Sequence, residues 1–126
     1  MEALAEKAEA GALIVVEGQR DVKALRRLGV EGSFFCIKAC GSSLEERIRS
    51  LEAEGRAREI LVLTDFDRGG VKLALETARR LEARGLHPNL EFWVKLRGLM
   101  GRQVKDVEGL ASYLENVKRK LPPLIS

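Results

Sequence analysis

Histidine, cysteine, proline and aromatic residues are scarce in this chain: one His, two Cys, three Pro, four Phe, one Trp and one Tyr among 126 residues. His87 precedes Pro88 in an expected loop, with no other histidine or cysteine near it in sequence. Neither a histidine metal cluster nor a Ser-His-Asp or Cys-His nucleophile arrangement is indicated. Cys36 and Cys40 form no CxxC pair and read as reduced thiols, one in the core and one in a loop. No apolar run is long enough to span a bilayer, and no signal peptide, P-loop or dinucleotide fingerprint is recognisable. A soluble, cytoplasmic protein with no membrane partner is expected. The shortage of aromatics also argues against a ring-stacking platform for single strands, leaving Trp93 as the one candidate.

Charge is plentiful. Lys and Arg number 22 against 19 Asp and Glu, giving a net +3 and a pI of about 9.1. That is a mild bias toward polyanions, well short of a dedicated basic arm. The length suits one domain covering 1–126.

Four segments read as strands. "ALIVVE" (12–17) and "EILVLTD" (59–65) are continuous apolar runs, as central strands covered on both faces require. "FFCIK" (34–38) follows Gly32-Ser33, and "LEFWVKL" (90–96) alternates, which predicts a half-exposed edge strand with Trp93 facing outward. Helical stripes lie between and beyond them. They are Val22, Leu25 and Leu28; Leu44, Ile48 and Leu51 behind caps at Ser42-Ser43; Val71, Ala74, Leu75, Ala78 and Leu81 before Gly85; and Val107, Leu110, Leu114, Val117 and Leu121 before Pro122-Pro123. The first ten residues form a further candidate helix closed by Gly11. The alternation predicts a three-layer α/β/α, Rossmann-like domain with a mainly parallel four-stranded sheet.

In such sheets ligands bind beyond the carboxyl ends of strands, where the strand order reverses. Glu17 ends the first strand; Asp65 and Asp67 end the third. The order 2-1-3-4 would bring all three acids into one crevice. Like charges held close raise each other's proton affinity, so a cation is required. Mg²⁺ is the natural one, with Mn²⁺ as a substitute, because it takes hard oxygen ligands together with waters and substrate phosphate. Phe66, pointing opposite to its two neighbours, can pack while the aspartates face the ion. A solvated loop in which Asp67 merely caps a helix is the alternative. Asp21 is read as stabilising a helix N-terminus rather than as a ligand.

"IVVEGQRD" (14–21) and "VLTDFDRGG" (62–70), one β-α unit apart, resemble the two signatures of the Toprim domain. That domain is found in topoisomerases, bacterial-type primases, certain nucleases and ribosomal-RNA maturases. The resemblance covers roughly residues 11–95, with 104–121 as a helical extension. It implies that Glu17 acts as a general acid or base at a phosphodiester and that Asp65 and Asp67 hold Mg²⁺. Gly69 stands where some members carry a third acid, which points to the primase-like and maturase-like branches. Tyr113, the only tyrosine, is read as a packing residue, so strand passage is not expected. Gly18 and Gly41 match glycine turns near the family site, although ordinary turn chemistry explains Gly41 equally well. Lys38, Arg68 and the Gly69 backbone are candidate phosphate contacts, and Lys95, Arg97, Arg102 and Lys105 form a further basic cluster.

Three functions compete at this point. The first is an Mg²⁺-dependent enzyme cleaving RNA or DNA phosphodiesters. The second is a non-catalytic module binding nucleic acid or a protein partner. The third, a haloacid-dehalogenase-type phosphatase, is disfavoured because its DxD ends the first strand. Oligomeric state is left open.

Overall fold

The computed structural model describes residues 2–38, 41–100 and 104–120. Cys40, Arg102, Leu121 and Pro122-Pro123 lie outside them. A short helix α1 (Glu2–Glu9) leads into β1 (Leu13–Val16), α2 (Gln19–Arg27), β2 (Ser33–Cys36), α3 (Leu44–Gly55), β3 (Ile60–Val62), α4 (Arg68–Ala83), β4 (Pro88–Asn89), α5 (Glu91–Met100) and α6 (Val107–Lys120). The strands form one parallel sheet in the order β2-β1-β3-β4, as the placement of the acids predicts.

The two continuous runs are central strands. Every residue of β1 and β3 is buried, because helices cover both faces. Alternate β1 side chains feed two cores. Ile14 and Val16 pack with α1, α2 and α6, whereas Leu13 and Val15 pack with Ile48 and Leu51 of α3 and Leu81 of α4. Each cap has a local cause. At α3, the Ser43 hydroxyl accepts from the Glu46 N–H at 3.2 Å while the Glu46 carboxylate reaches back to the Ser43 N–H. Beyond α4 the chain turns through Gly85 at φ +82°, a left-handed conformation that glycine adopts without strain. Within the α4 stripe Leu75 faces solvent at 53% exposure, and Thr77 is buried in addition.

The fourth strand differs from the sequence expectation. Pairing with β3 is confined to Pro88 and Asn89, and residues 91–100 are helical. The Asn89 side chain accepts from the Glu91 N–H at 2.8 Å and starts the helix. Phe92, Trp93 and Leu96 face inward with helical spacing, whereas Val94, which a strand would place beside Phe92, is 59% exposed. Seven residues with apolar groups at every second position satisfy both periods in part, and tertiary packing decides between them. Proline is tolerated in β4 because the strand lies at the sheet edge.

Trp93 is therefore buried rather than outward-facing, and its indole N–H donates to the Thr64 carbonyl at 3.0 Å. Trp93→Phe leaves that buried carbonyl without its best donor. It is expected to lower stability by about 2 kcal/mol, read as a lower urea midpoint by far-UV circular dichroism.

Candidate active site

Strand register brings Glu17 and Asp65 together, but not Asp67. Val16 is level with Cys36 on one side and Val15 with Val62 on the other. The ladders run slightly past the strands: the Lys38 N–H donates to the Glu17 carbonyl at 3.1 Å, and the Leu63 N–H to Val15 at 2.8 Å. Residues 17, 38 and 65 consequently emerge side by side at the carboxyl edge, at the reversal of strand order.

Glu17 is 92% buried, with 8% exposure, and both its oxygens are engaged. Oε2 accepts from the Asp65 backbone N–H at 2.9 Å, and Oε1 lies 2.8 Å from the Lys38 ammonium. Lys38 extends into solvent, and its hydrogen bond to Glu17 raises its pKa. The Asp65 carboxylate accepts from the Val107 N–H at the start of α6, at 3.3 Å. Burial is the main reason its pKa rises from 3.8 to about 7, with repulsion from Glu17, Asp21 and Asp106 adding to it. Asp21 is buried and accepts from the Gly18 N–H at 3.0 Å, as expected of a residue stabilising a helix start. Its pKa is raised, again chiefly by burial.

Glu17, Asp65 and Lys38 share a cavity of about 310 Å³ whose lining also includes Gly18. Asp67 is exposed and lies outside that lining; its Oδ1 accepts from the Gly70 N–H at 2.7 Å and caps α4. Phe66 is buried between the aspartates, and its N–H donates to the Lys105 carbonyl at 2.5 Å. Arg68 and Gly69 form the exposed first turn of α4, and Gly41 lies in an exposed turn at φ +80°; none of the three lines the cavity.

Two further acids line the cavity that the sequence does not single out, Asp106 and Glu108 at the start of α6. Asp106 caps that helix by accepting from the Gly109 N–H at 2.6 Å. An aspartate before a helical stripe signals a cap and nothing more, so no local signal places it opposite Asp65, 41 positions earlier. The C-terminal helix thus closes the site as well as extending the domain. Nor does the sequence distinguish Gly70 from Gly69: a Cβ on Gly70 would stand 1.9 Å from the Asp65 carbonyl oxygen, whereas one on Gly69 meets nothing nearer than 3.6 Å.

Among the described residues no three His, Cys, Asp or Glu side chains are gathered closely enough to hold a metal ion alone. Mg²⁺ does not require such a cage, since it commonly binds one or two carboxylates and completes its shell with water and phosphate. The donors are hard carboxylate oxygens, and Glu17, Asp21 and Asp106 add repulsion at Asp65 to the larger effect of its burial. The site chemistry therefore fits a hard dication.

The fold and the two motifs have known relatives. The family model for the Toprim domain matches residues 11–89. A UPF0292 protein of Methanosarcina barkeri is 38% identical over 118 residues, spanning 93% of this chain and 79% of its own length. A UPF0292 protein of Methanocaldococcus jannaschii is 36% identical over 103 residues, 80% of this chain and 77% of its own. A solved structure from Aquifex aeolicus, at 21% identity, has the same fold, with a TM-score of 0.68 over 85% of this chain and 91% of that one. The chain belongs to the Toprim domain family and to the UPF0292 proteins.

Proposed function

We propose that this protein is an Mg²⁺-dependent enzyme that cleaves phosphodiester bonds in nucleic acid. Toprim domains generally bind Mg²⁺ and are associated with nucleic acids, which supports this reaction class. The observation that carries the reading is the pairing of Glu17 with the Asp65 backbone inside a cavity lined by further acids.

Asp65 in the cavity, with Glu17 beside it and Asp67 contributing from outside the lining, would hold Mg²⁺. The ion would supply Lewis-acid stabilisation of charge on the scissile phosphate. Glu17 moves the proton, because its carboxylate is buried and fixed in direction by the Asp65 N–H. Lys38 places a positive charge beside Glu17 and is exposed enough to meet a phosphate oxygen. Arg68 and the Gly69 backbone, in the first turn of a 16-residue helix, offer charge and N–H groups to the same anion.

Removing the acid-base group without changing its shape tests the assignment. Glu17→Gln is expected to lower kcat with Mg²⁺ by about 10²–10⁴-fold with little change in KM, measured on labelled RNA and DNA substrates. Cleavage at the wild-type rate by Glu17→Gln or Asp65→Ala would refute the mechanism.

A binding module without turnover is the second reading. It is favoured by the ion pair of Glu17 Oε1 with Lys38 at 2.8 Å, which occupies the oxygen left free by the Asp65 N–H. Salt-dependent binding with no cleavage under any divalent ion would select it. As to membranes, no described helix is long and apolar enough to cross one.

A further inference from the structure

The cavity at Glu17 has a neighbour. A groove of about 480 Å³ runs along β2, one of the two edge strands of the sheet, and the two share Gln19 at the start of α2. Its floor is formed by Phe34 and Phe35, which point to opposite faces of the strand. An arginine covers each ring. The Arg26 guanidinium lies 5.4 Å from the Phe34 centroid, and that of Arg47 lies 4.4 Å from Phe35. Arg47 is also anchored by two donations to the Cys36 carbonyl, at 3.2 and 2.6 Å, so its plane is fixed.

Helix α2 continues this basic surface. Its buried residues are Asp21, Val22, Ala24 and Leu25, which leaves Arg20, Lys23, Arg26 and Arg27 facing solvent. Arg20, Lys23 and Arg26 recur three apart, a spacing that keeps successive side chains neighbours on the helix surface. Arg20 lines the acid cavity and Arg26 lines the groove, so the stripe joins the two. Arg27 is paired with Glu115 of α6 at 3.2 Å, whereas among the described ion pairs none involves Arg20, Lys23 or Arg26.

We infer that the Arg20–Lys23–Arg26 stripe and the β2 groove form a track for a single-stranded polynucleotide running away from the acid cavity. The inference rests on the reading of that cavity as a phosphodiester site and names how its substrate is held. Unpaired cations at helical spacing meet consecutive phosphates, and a guanidinium plane backed by an aromatic ring presents a second face on which a base can stack. This does not require the exposed rings in which the sequence is poor. A groove between α2 and α3 along a strand edge, with Glu54 as its one acid among the described residues, admits one strand, whereas a duplex would have to be opened first.

The test is fluorescence anisotropy without divalent ions, so that nothing is cleaved. Labelled single-stranded RNA, single-stranded DNA and a duplex of equal length are titrated at several salt concentrations. The wild-type chain is expected to bind either single strand at least tenfold more tightly than the duplex. Lys23→Glu/Arg26→Glu should weaken single-strand binding at least tenfold and reduce the salt slope by one to two. Arg49→Glu/Arg79→Glu, an equal charge change at exposed positions of α3 and α4, should do much less. Lys23→Gln/Arg26→Gln guards against effects of charge reversal on folding and should show the same order. Equal losses in the stripe and control variants, a duplex preference, or no binding by the wild type would overturn the inference. If stripe-dependent binding is found but no divalent ion elicits cleavage, the catalytic reading fails and the track stands.

Discussion

Gly70→Ala is expected to unfold the β3–α4 junction or to lower stability by about 4 kcal/mol or more. For a domain of this size that corresponds to a melting temperature lower by about 15 °C. The cause is steric. The first turn of α4 passes directly over the backbone of Asp65, and an added Cβ would stand 1.9 Å from its carbonyl oxygen and 2.4 Å from its carbonyl carbon. Both atoms are main chain, so no rotamer change relieves the overlap. The Thr64 hydroxyl donates to the Gly70 carbonyl at 2.7 Å and ties the two segments from the other side. The preceding glycine is the internal control. At Gly69 the nearest atom to an added Cβ is the Asp67 Oδ1 at 3.6 Å, an ordinary contact. Gly69→Ala should therefore be neutral or stabilising by up to about 1 kcal/mol, as expected when alanine replaces glycine in a helix. Thermal melts of the two variants decide the matter, and equal behaviour would contradict the close approach.

Asp65→Asn should make the metal-free protein more stable at pH 8 and no more stable at pH 4. The folded carboxyl keeps its proton until about pH 7, whereas the unfolded one releases it near 3.8. Between those values the folded state binds more protons, so stability falls as pH rises, and the full penalty is present above pH 7. A shift of that size would correspond to roughly 4 kcal/mol in a fully buried group. Asp65 is half-buried, so solvent screening reduces the effect to about 1–2 kcal/mol. Asparagine retains an oxygen for the Val107 N–H and removes only the charge. The variant should melt about 5 °C higher than the wild type at pH 8, with the difference vanishing toward pH 4. Added Mg²⁺ should raise the wild-type melting temperature at pH 8 through binding to the native state and leave the variant almost unmoved. A metal-free wild type that melts with or above the variant at pH 8 would show that the carboxyl is not destabilised by its surroundings.

The two predictions concern adjacent parts of one turn, and they differ in how visible they are beforehand. Asp65 is conspicuous in sequence as an acid ending a buried strand. The requirement at position 70, rather than 69, depends on how closely α4 crosses the chain, which composition does not encode. The same division runs through the site. Glu17 and the DxD could be named because both follow continuous apolar runs that only a doubly covered parallel sheet accommodates. Lys38 was suggested by its place at a strand end, and the ladder to Glu17 sets it there. Asp106 and Glu108 carry no such mark, because their relation to Asp65 exists only once α6 has packed against α2.

By itself the sequence determined the continuous central strands and the helices between them, the cap at Ser43, and the pair of motifs that mark the family. Each depends on neighbours within a few residues or on side-chain periodicity. Tertiary structure alone decided that residues 91–100 coil into a helix with Trp93 bonded beneath Thr64, that α6 lends two acids to the cavity, and that Asp65 holds its proton to near neutrality. Those outcomes depend on distances between segments remote in sequence and on exclusion of water between them, and Coulomb repulsion and desolvation take their magnitude only from that geometry.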